Sequence, residues 1–220
     1  MIRRQARQAV LGKSYALHEL DYKLGGYVRR RSGFFIEAGA YDGLRQSNTA
    51  WFEKRRGWRG LLVEPDPDLA AKCKVNRPAS MVENVALVAD SKTTPEVELV
   101  AAGLVGMVAD TRNLLDPQSY YQNRTPPSQR RIKVGTATLS DLIDRHHIER
   151  VDLLSLDVEG YELQALAGLD LDRHRPGAIV VECRRLEDTI EMLQPHYQQP
   201  IQLSYHDYLF LADDDSRLQR

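Results

Sequence analysis

Phe34-Phe35-Ile36-Glu37-Ala38-Gly39-Ala40-Tyr41-Asp42-Gly43 is the stretch that decides the fold. A short apolar run passes into an acid and then into small residues and glycines, the way a buried parallel strand ends in a tight turn. Leu61-Leu62-Val63-Glu64-Pro65 repeats the arrangement. Between them, residues 49–56 have helical composition, with Ser47 or Asn48 as the N-cap candidate and Gly57 as the stop. Strand, helix and strand in this order predict a βαβ unit, and so a parallel sheet with right-handed crossovers.

The same alternation extends outward. A helix over 68–75 leads to a strand over 81–88; later come a helix over 140–147, a strand over 151–156 and a helix over 159–167. A strand over 178–181, a helix over 186–193 and a closing pair of strands at 201–204 and 208–211 follow. Residues 33–220 therefore read as one doubly wound α/β domain with an irregular insert near 91–135, a functional segment or a plain surface insertion. Residues 1–32 read as an N-terminal helical segment, because Ala6, Ala9, Val10, Leu17, Leu20 and Leu24 recur at helical intervals. Such a segment packs on the sheet edge or serves as a lid over a ligand.

The whole chain narrows the function classes. Its 220 residues, 42% of them hydrophobic, suffice for one large domain. Thirty basic against thirty-one acidic residues give a net charge of -1, which argues against nucleic acid or an anionic membrane as the main partner and for a small organic substrate. Tyr120, Tyr121, Arg124, Arg130 and Arg131 are candidates for a polar aromatic wall or for solvated loop. Cys73 and Cys183 lack metal-type spacing and read as reduced thiols. The basic start lacks the apolar core of a secretory signal, and the longest nearly apolar stretch, 99–109, falls short of the roughly 20 residues a membrane helix needs. The expected location is cytoplasmic. The sequence does not set the oligomeric state, and a homo-oligomer stays open.

In an open parallel sheet, ligands bind beyond the carboxyl ends of the strands, so the strand-end residues carry the information. Small residues after Glu37 let a ligand approach the backbone, and an acid such as Glu64 at the second strand end accepts hydrogen bonds from ribose hydroxyls. The loop lacks the second glycine of G-x-G-x-x-G, which disfavours a nicotinamide dinucleotide and an oxidoreductase. Acids at both strand ends repel phosphate but suit an ammonium, a sulfonium and an unmodified ribose, the chemistry of S-adenosylmethionine. Acids before glycine turns also occur where nothing binds.

Glu37-Ala38-Gly39-Ala40-Tyr41-Asp42-Gly43, Ser47-Asn48-Thr49, the run from Gly57 to Pro65, and Leu154-Ser155-Leu156-Asp157-Val158-Glu159-Gly160-Tyr161-Glu162 together resemble the ordered signature of FkbM-type methyltransferases, especially the Star-like subgroup. The similarity runs from about Gly33 to Leu211 and weakens across 91–135. It implies a class I methyltransferase fold: a Rossmann-like, three-layer αβα domain around a mostly parallel seven-stranded sheet whose last strand, at 208–211, is antiparallel. It also implies S-adenosylmethionine as cofactor, with Glu37, Gly39, Tyr41, Ser47 and Asn48 at the methionine portion, Glu64 and Pro65 at the ribose, and Asn84 and Val85 at the adenine.

Asp157 has three candidate jobs: contact with the cofactor amine, general base on a substrate hydroxyl, or, with Glu159 and Glu182, ligation of a divalent ion such as magnesium. Glu162 reads equally as a helix-start acid favoured by the macrodipole. His206 is a candidate general base beside Asp207, although neighbours in a strand point to opposite faces. His146 and His147 read as solvated. The implied reaction is methylation of a hydroxyl oxygen on a sugar or small natural product. The competing reading is a catalytically silent Star-like binding or trafficking module of the same fold.

Overall fold

A computed structural model of the chain describes residues 8, 10–102, 105–108 and 130–213. Its main sheet has seven strands in the order β10-β11-β9-β8-β1-β2-β3. These are β1 (Phe34–Ala38), β2 (Arg59–Val63), β3 (Met81–Glu83), β8 (Leu153–Leu156), β9 (Ala178–Glu182), β10 (Ile201–Gln202) and β11 (Asp207–Leu211). Pairings from β3 through β9 are all parallel, whereas β11 is antiparallel to both β9 and β10. The expected mostly parallel sheet with an antiparallel last strand is thus present, and β11 lies one strand in from the edge.

The period-2 alternation of the strands builds a layer on each face. Ile36, Leu61, Val63, Leu154, Leu156, Ile179 and Val181 pack with helices α4 (Leu139–Arg145), α5 (Glu162–Ala167) and α6 (Leu186–Leu193). Phe35, Leu62, Leu153 and Val180 point the other way, towards α1 (Leu20–Tyr27), α2 (Ala50–Arg56) and α3 (Pro67–Asn76). Trp51, Phe52 and Trp58 form a chain of ring contacts 5.0–5.2 Å apart in that second layer. Leu20, Tyr22, Leu24 and Val28 are buried against them, so this part of the 1–32 segment packs into the helical layer.

Three differences from the sequence expectation bear on the site. The strand expected over 81–88 is two strands: β3 ends at Glu83, and β4 (Ala86–Leu87) joins a second sheet. Asn84 makes the break, donating from Nδ2 to the carbonyls of Glu64 (2.9 Å) and Pro65 (2.8 Å). The insert near 91–135, expected to be irregular, contains β5 (Glu96–Ala102), β6 (Val105–Val108) and the start of β7 (Arg130–Ala137), which with β4 form a sheet ordered β4-β7-β5-β6. There Leu99 and Val134 point inward, while Glu98 pairs with Arg131 and Glu96 with Lys133 on the outer face. The helix expected from Glu159 starts at Glu162, because Glu159 (φ 55°) and Gly160 (φ 93°) are left-handed. Tyr120, Tyr121 and Arg124 lie outside the described residues.

Candidate active site

From β1 the chain winds outward to β2 and β3 and later returns to β8 on the other side of β1, so the crossover direction changes between β1 and β8. A cleft of about 950 Å3, including its open mouth, lies beyond the strand ends there, where such sheets bind ligands. Gly39 makes the junction. Its φ is 80°, and a Cβ at this position would lie 1.7 Å from the backbone oxygen of Asp157. Only glycine lets the ends of β1 and β8 meet this closely. Gly39 N donates to Val63 O (3.0 Å) and Asp157 N to Ala38 O (3.2 Å), holding β1 between its neighbours.

Glu64 faces this cleft and is 6% exposed. Its Oε2 accepts from the Tyr41 amide (2.8 Å) and its Oε1 from the Asp66 amide (3.0 Å). A carboxylate oxygen accepts about two hydrogen bonds, which leaves one acceptor site on each for a ligand. Burial pushes its pKa up to about 7, against the opposing pull of those two amides, with the Asp66 charge adding to the rise. Val85, Ala86, Leu87, Leu69 and Leu99 line an apolar slot of the same cleft. Leu69 and Leu99 were not singled out in the sequence; they reach the slot only through the packing of α3 and the second sheet.

Asp157, Val158, Glu159 and Tyr161 line the opposite wall. Enclosure by the protein, followed by the charges of Glu182, Glu159, Glu162 and Asp207, raises the Asp157 pKa well above the usual carboxylate range. Its side chain is exposed to the cleft, so crowding by like charges is the firmer cause. Glu159 is pushed up to about 7 by burial and by Glu182, opposed by Arg184 at 3.0 Å. Glu162 is buried and accepts from the amides of Val158 (3.2 Å) and Gly160 (2.9 Å), which folds the loop back on the helix start.

Ligand atoms of Asp157, Glu162 and Glu182 lie within 4.8 Å of one another. The carboxylate trio that the fold assembles thus contains Glu162 in place of Glu159, which pairs with Arg184.

The matched sequence blocks meet at this cleft. A family model, the methyltransferase FkbM domain, matches residues 37–210. The chain belongs to the FkbM methyltransferase family. Membership carries the family's reaction class, methyl transfer from S-adenosylmethionine. No curated protein matches this FkbM-family chain by sequence.

Among solved structures it is similar to precorrin-6y C5,15-methyltransferase from Geobacter metallireducens, at 12% identity over 91% of this chain and 90% of that one, with a TM-score of 0.50. A TehB-like S-adenosylmethionine-dependent methyltransferase from Corynebacterium glutamicum gives 13% identity, 96% of both chains and a TM-score of 0.47. An O-methyltransferase from Bacillus cereus gives 13% identity over 96% of this chain and 87% of that one, with a TM-score of 0.46. At such identities the first of these likenesses shows the shared fold and nothing finer.

Of the residues expected to contact the cofactor in this FkbM-family chain, Gly39, Tyr41, Ser47, Glu64, Pro65, Val85 and Asp157 line the cleft. Glu37, Asn48 and Asn84 do not. Glu37 is buried behind it, accepting from Ser47 Oγ (2.8 Å), Asn48 N (2.7 Å) and Thr49 Oγ1 (2.6 Å), with Arg77 Nη1 at 3.7 Å. Asn48 Nδ2 donates to Ser155 Oγ. His206 is exposed on the β10–β11 turn, 4.5 Å ring to ring from Tyr205, and outside the cleft. Asp207 accepts from Ser204 Oγ rather than orienting His206. Arg130 and Arg131 form ion pairs with Asp66, Asp68 and Glu98, and His146 lies 2.6 Å from Glu83.

Among the described residues no helix is long and apolar enough to cross a membrane.

Proposed function

We propose that this chain methylates a hydroxyl oxygen of a small, sugar-like or natural-product acceptor, with Asp157 as the proton acceptor. The observation that carries the reading is the pairing, across one cleft, of Glu64 with Asp157. Glu64 offers two free acceptor sites, and Asp157 is a cleft-facing carboxyl whose proton affinity is raised by its neighbours.

The cleft suits S-adenosylmethionine on three counts. Gly39 leaves backbone-width room; Glu64 keeps lone pairs for vicinal hydroxyls; the slot lined by Leu69, Val85, Leu87 and Leu99 accepts a flat base. When bound, the cofactor supplies a methyl group already activated on a sulfonium. The protein's remaining work is to orient the acceptor oxygen and remove its proton. Asp157 fits that work because crowding by neighbouring acids makes its ionised form a stronger proton acceptor than an ordinary carboxylate. Magnesium on Asp157, Glu162 and Glu182 is the alternative use of this wall, since a cation would relieve the same crowding.

Calorimetry with S-adenosylhomocysteine and a methyl-transfer assay over a panel of hydroxyl acceptors test the proposal. Binding by the wild type is expected, with Asp157→Asn lowering turnover by about a hundredfold while binding persists. Binding without transfer to any acceptor would favour the silent Star-like module, and activity abolished by a chelator would shift Asp157 to the metal role. No binding at all overturns the proposal.

A further inference from the structure

Arg45 lines the cleft on the segment between β1 and α2, far along the chain from the apolar slot formed by α3, β4 and β5. It stands out by charge. Among the described residues, the lining includes four acids, Glu64, Asp66, Asp157 and Glu159, and a single cationic side chain, Arg45. Asp66 is engaged with Arg130 and Glu159 with Arg184, whereas none of the ion pairs among the described residues involves Arg45.

The loop holds Arg45 in place without neutralising it. Asp42 Oδ1 accepts from the amides of Leu44 (2.9 Å) and Arg45 (2.7 Å), closing the turn through the backbone. The Arg45 guanidinium carbon lies 6.0 Å from the centre of the Tyr41 ring, which also lines the cleft. A cation–π contact at this distance leaves the N–H groups of the guanidinium available.

We infer that Arg45 is the residue that recognises the amino-acid carboxylate of the cofactor. The inference rests on the cofactor reading above. The carboxylate is the cofactor's one anion, and Arg45 is the one cationic side chain among the described lining residues that can pair with it. A bidentate guanidinium–carboxylate contact also selects against ligands that lack the amino-acid arm.

The test is a pair of ligands differing in that arm: S-adenosylhomocysteine, which has the carboxylate, and 5′-methylthioadenosine, which lacks the whole amino-acid portion. Calorimetry on the full chain should show Arg45→Gln losing about tenfold in affinity for the first and nothing for the second. That is the lower end for a charge-assisted hydrogen bond, as befits an exposed residue. Arg45→Lys should recover part of the loss. Equal weakening of both ligands, or no change in either, overturns the assignment to Arg45. Failure of the wild type to bind either ligand would instead overturn the cofactor reading on which it rests.

Discussion

Glu37 and Glu64 share one local signature, an acid after an apolar run at the end of adjacent parallel strands, yet the fold puts them to opposite uses. Glu37 is still inside β1, with Ala38 beyond it, and points with Phe35 towards the α2–α3 layer. There Ser47, Asn48, Thr49 and Arg77 meet its carboxylate, and Arg77, itself fully buried, ties it to Glu53 at 3.0 Å. Glu64 lies one residue past β2, where the chain turns at the cleft, and among the described residues receives two backbone amides and no cation. One carboxylate is saturated by the protein. The other is left half-satisfied where a ligand fits. What separates the two acids is therefore the supply of donors around each, not its place in a motif.

The contrast breaks most visibly at Glu37. Glu37→Ala leaves Arg77 short of a buried partner and removes the acceptor for two hydroxyls, so a loss of about 3–5 kcal/mol in stability is expected. Urea unfolding measures it. An unchanged midpoint combined with lost S-adenosylhomocysteine binding would make Glu37 a binding acid after all, and the distinction between the two strand ends would collapse.

Glu64→Gln should do the reverse, weakening S-adenosylhomocysteine about tenfold without unfolding the protein. The pH dependence sharpens the point. Glu64 has a folded pKa of about 7 against an ordinary 4.5. The folded state thus holds the extra proton between those values, and its contribution to stability falls as pH rises through that window. The full effect amounts to about 3 kcal/mol at neutral pH and above. Ligand hydroxyls donate to the ionised form, so affinity should rise with pH up to about 7 and then level. In Glu64→Gln both trends should flatten; a variant that kept the wild-type pH profile would show that another group controls it.

The sequence was most legible where a physical signal was local. Contiguous apolar runs ending in glycine or an acid marked β1, β2 and β9, and Gly57, at φ 68°, ends α2 where expected. Residues 186–193 were likewise readable from their helical spacing. What could not be read depended on partners distant in the chain. The second sheet declares itself only through cross-strand pairs such as Glu98 with Arg131. The role of Glu37 depends on Arg77, at the end of α3, a residue with no motif around it. The cleft set was legible as blocks, but the sorting of its acids was not: whether Glu159 or Glu162 joins Asp157 and Glu182 follows from two left-handed residues and one arginine.

Asn84 offers the smallest and finest test of the contrast between the strand ends. Expected at the adenine edge, it is exposed and spends its amide on the carbonyls of Glu64 and Pro65. Its effect on a ligand should therefore pass through the turn that carries Glu64. Removing it in Asn84→Ala costs two hydrogen bonds at an exposed position and should weaken binding about threefold. With the turn serving the ribose, as proposed, the loss should be equal for S-adenosylhomocysteine and for its inosine counterpart, which differ only on the base. A loss confined to the adenine ligand would place Asn84 on the base edge instead. Glu64 would then hold its position without that anchor, its own two amide bonds sufficing to fix the carboxylate at the cleft.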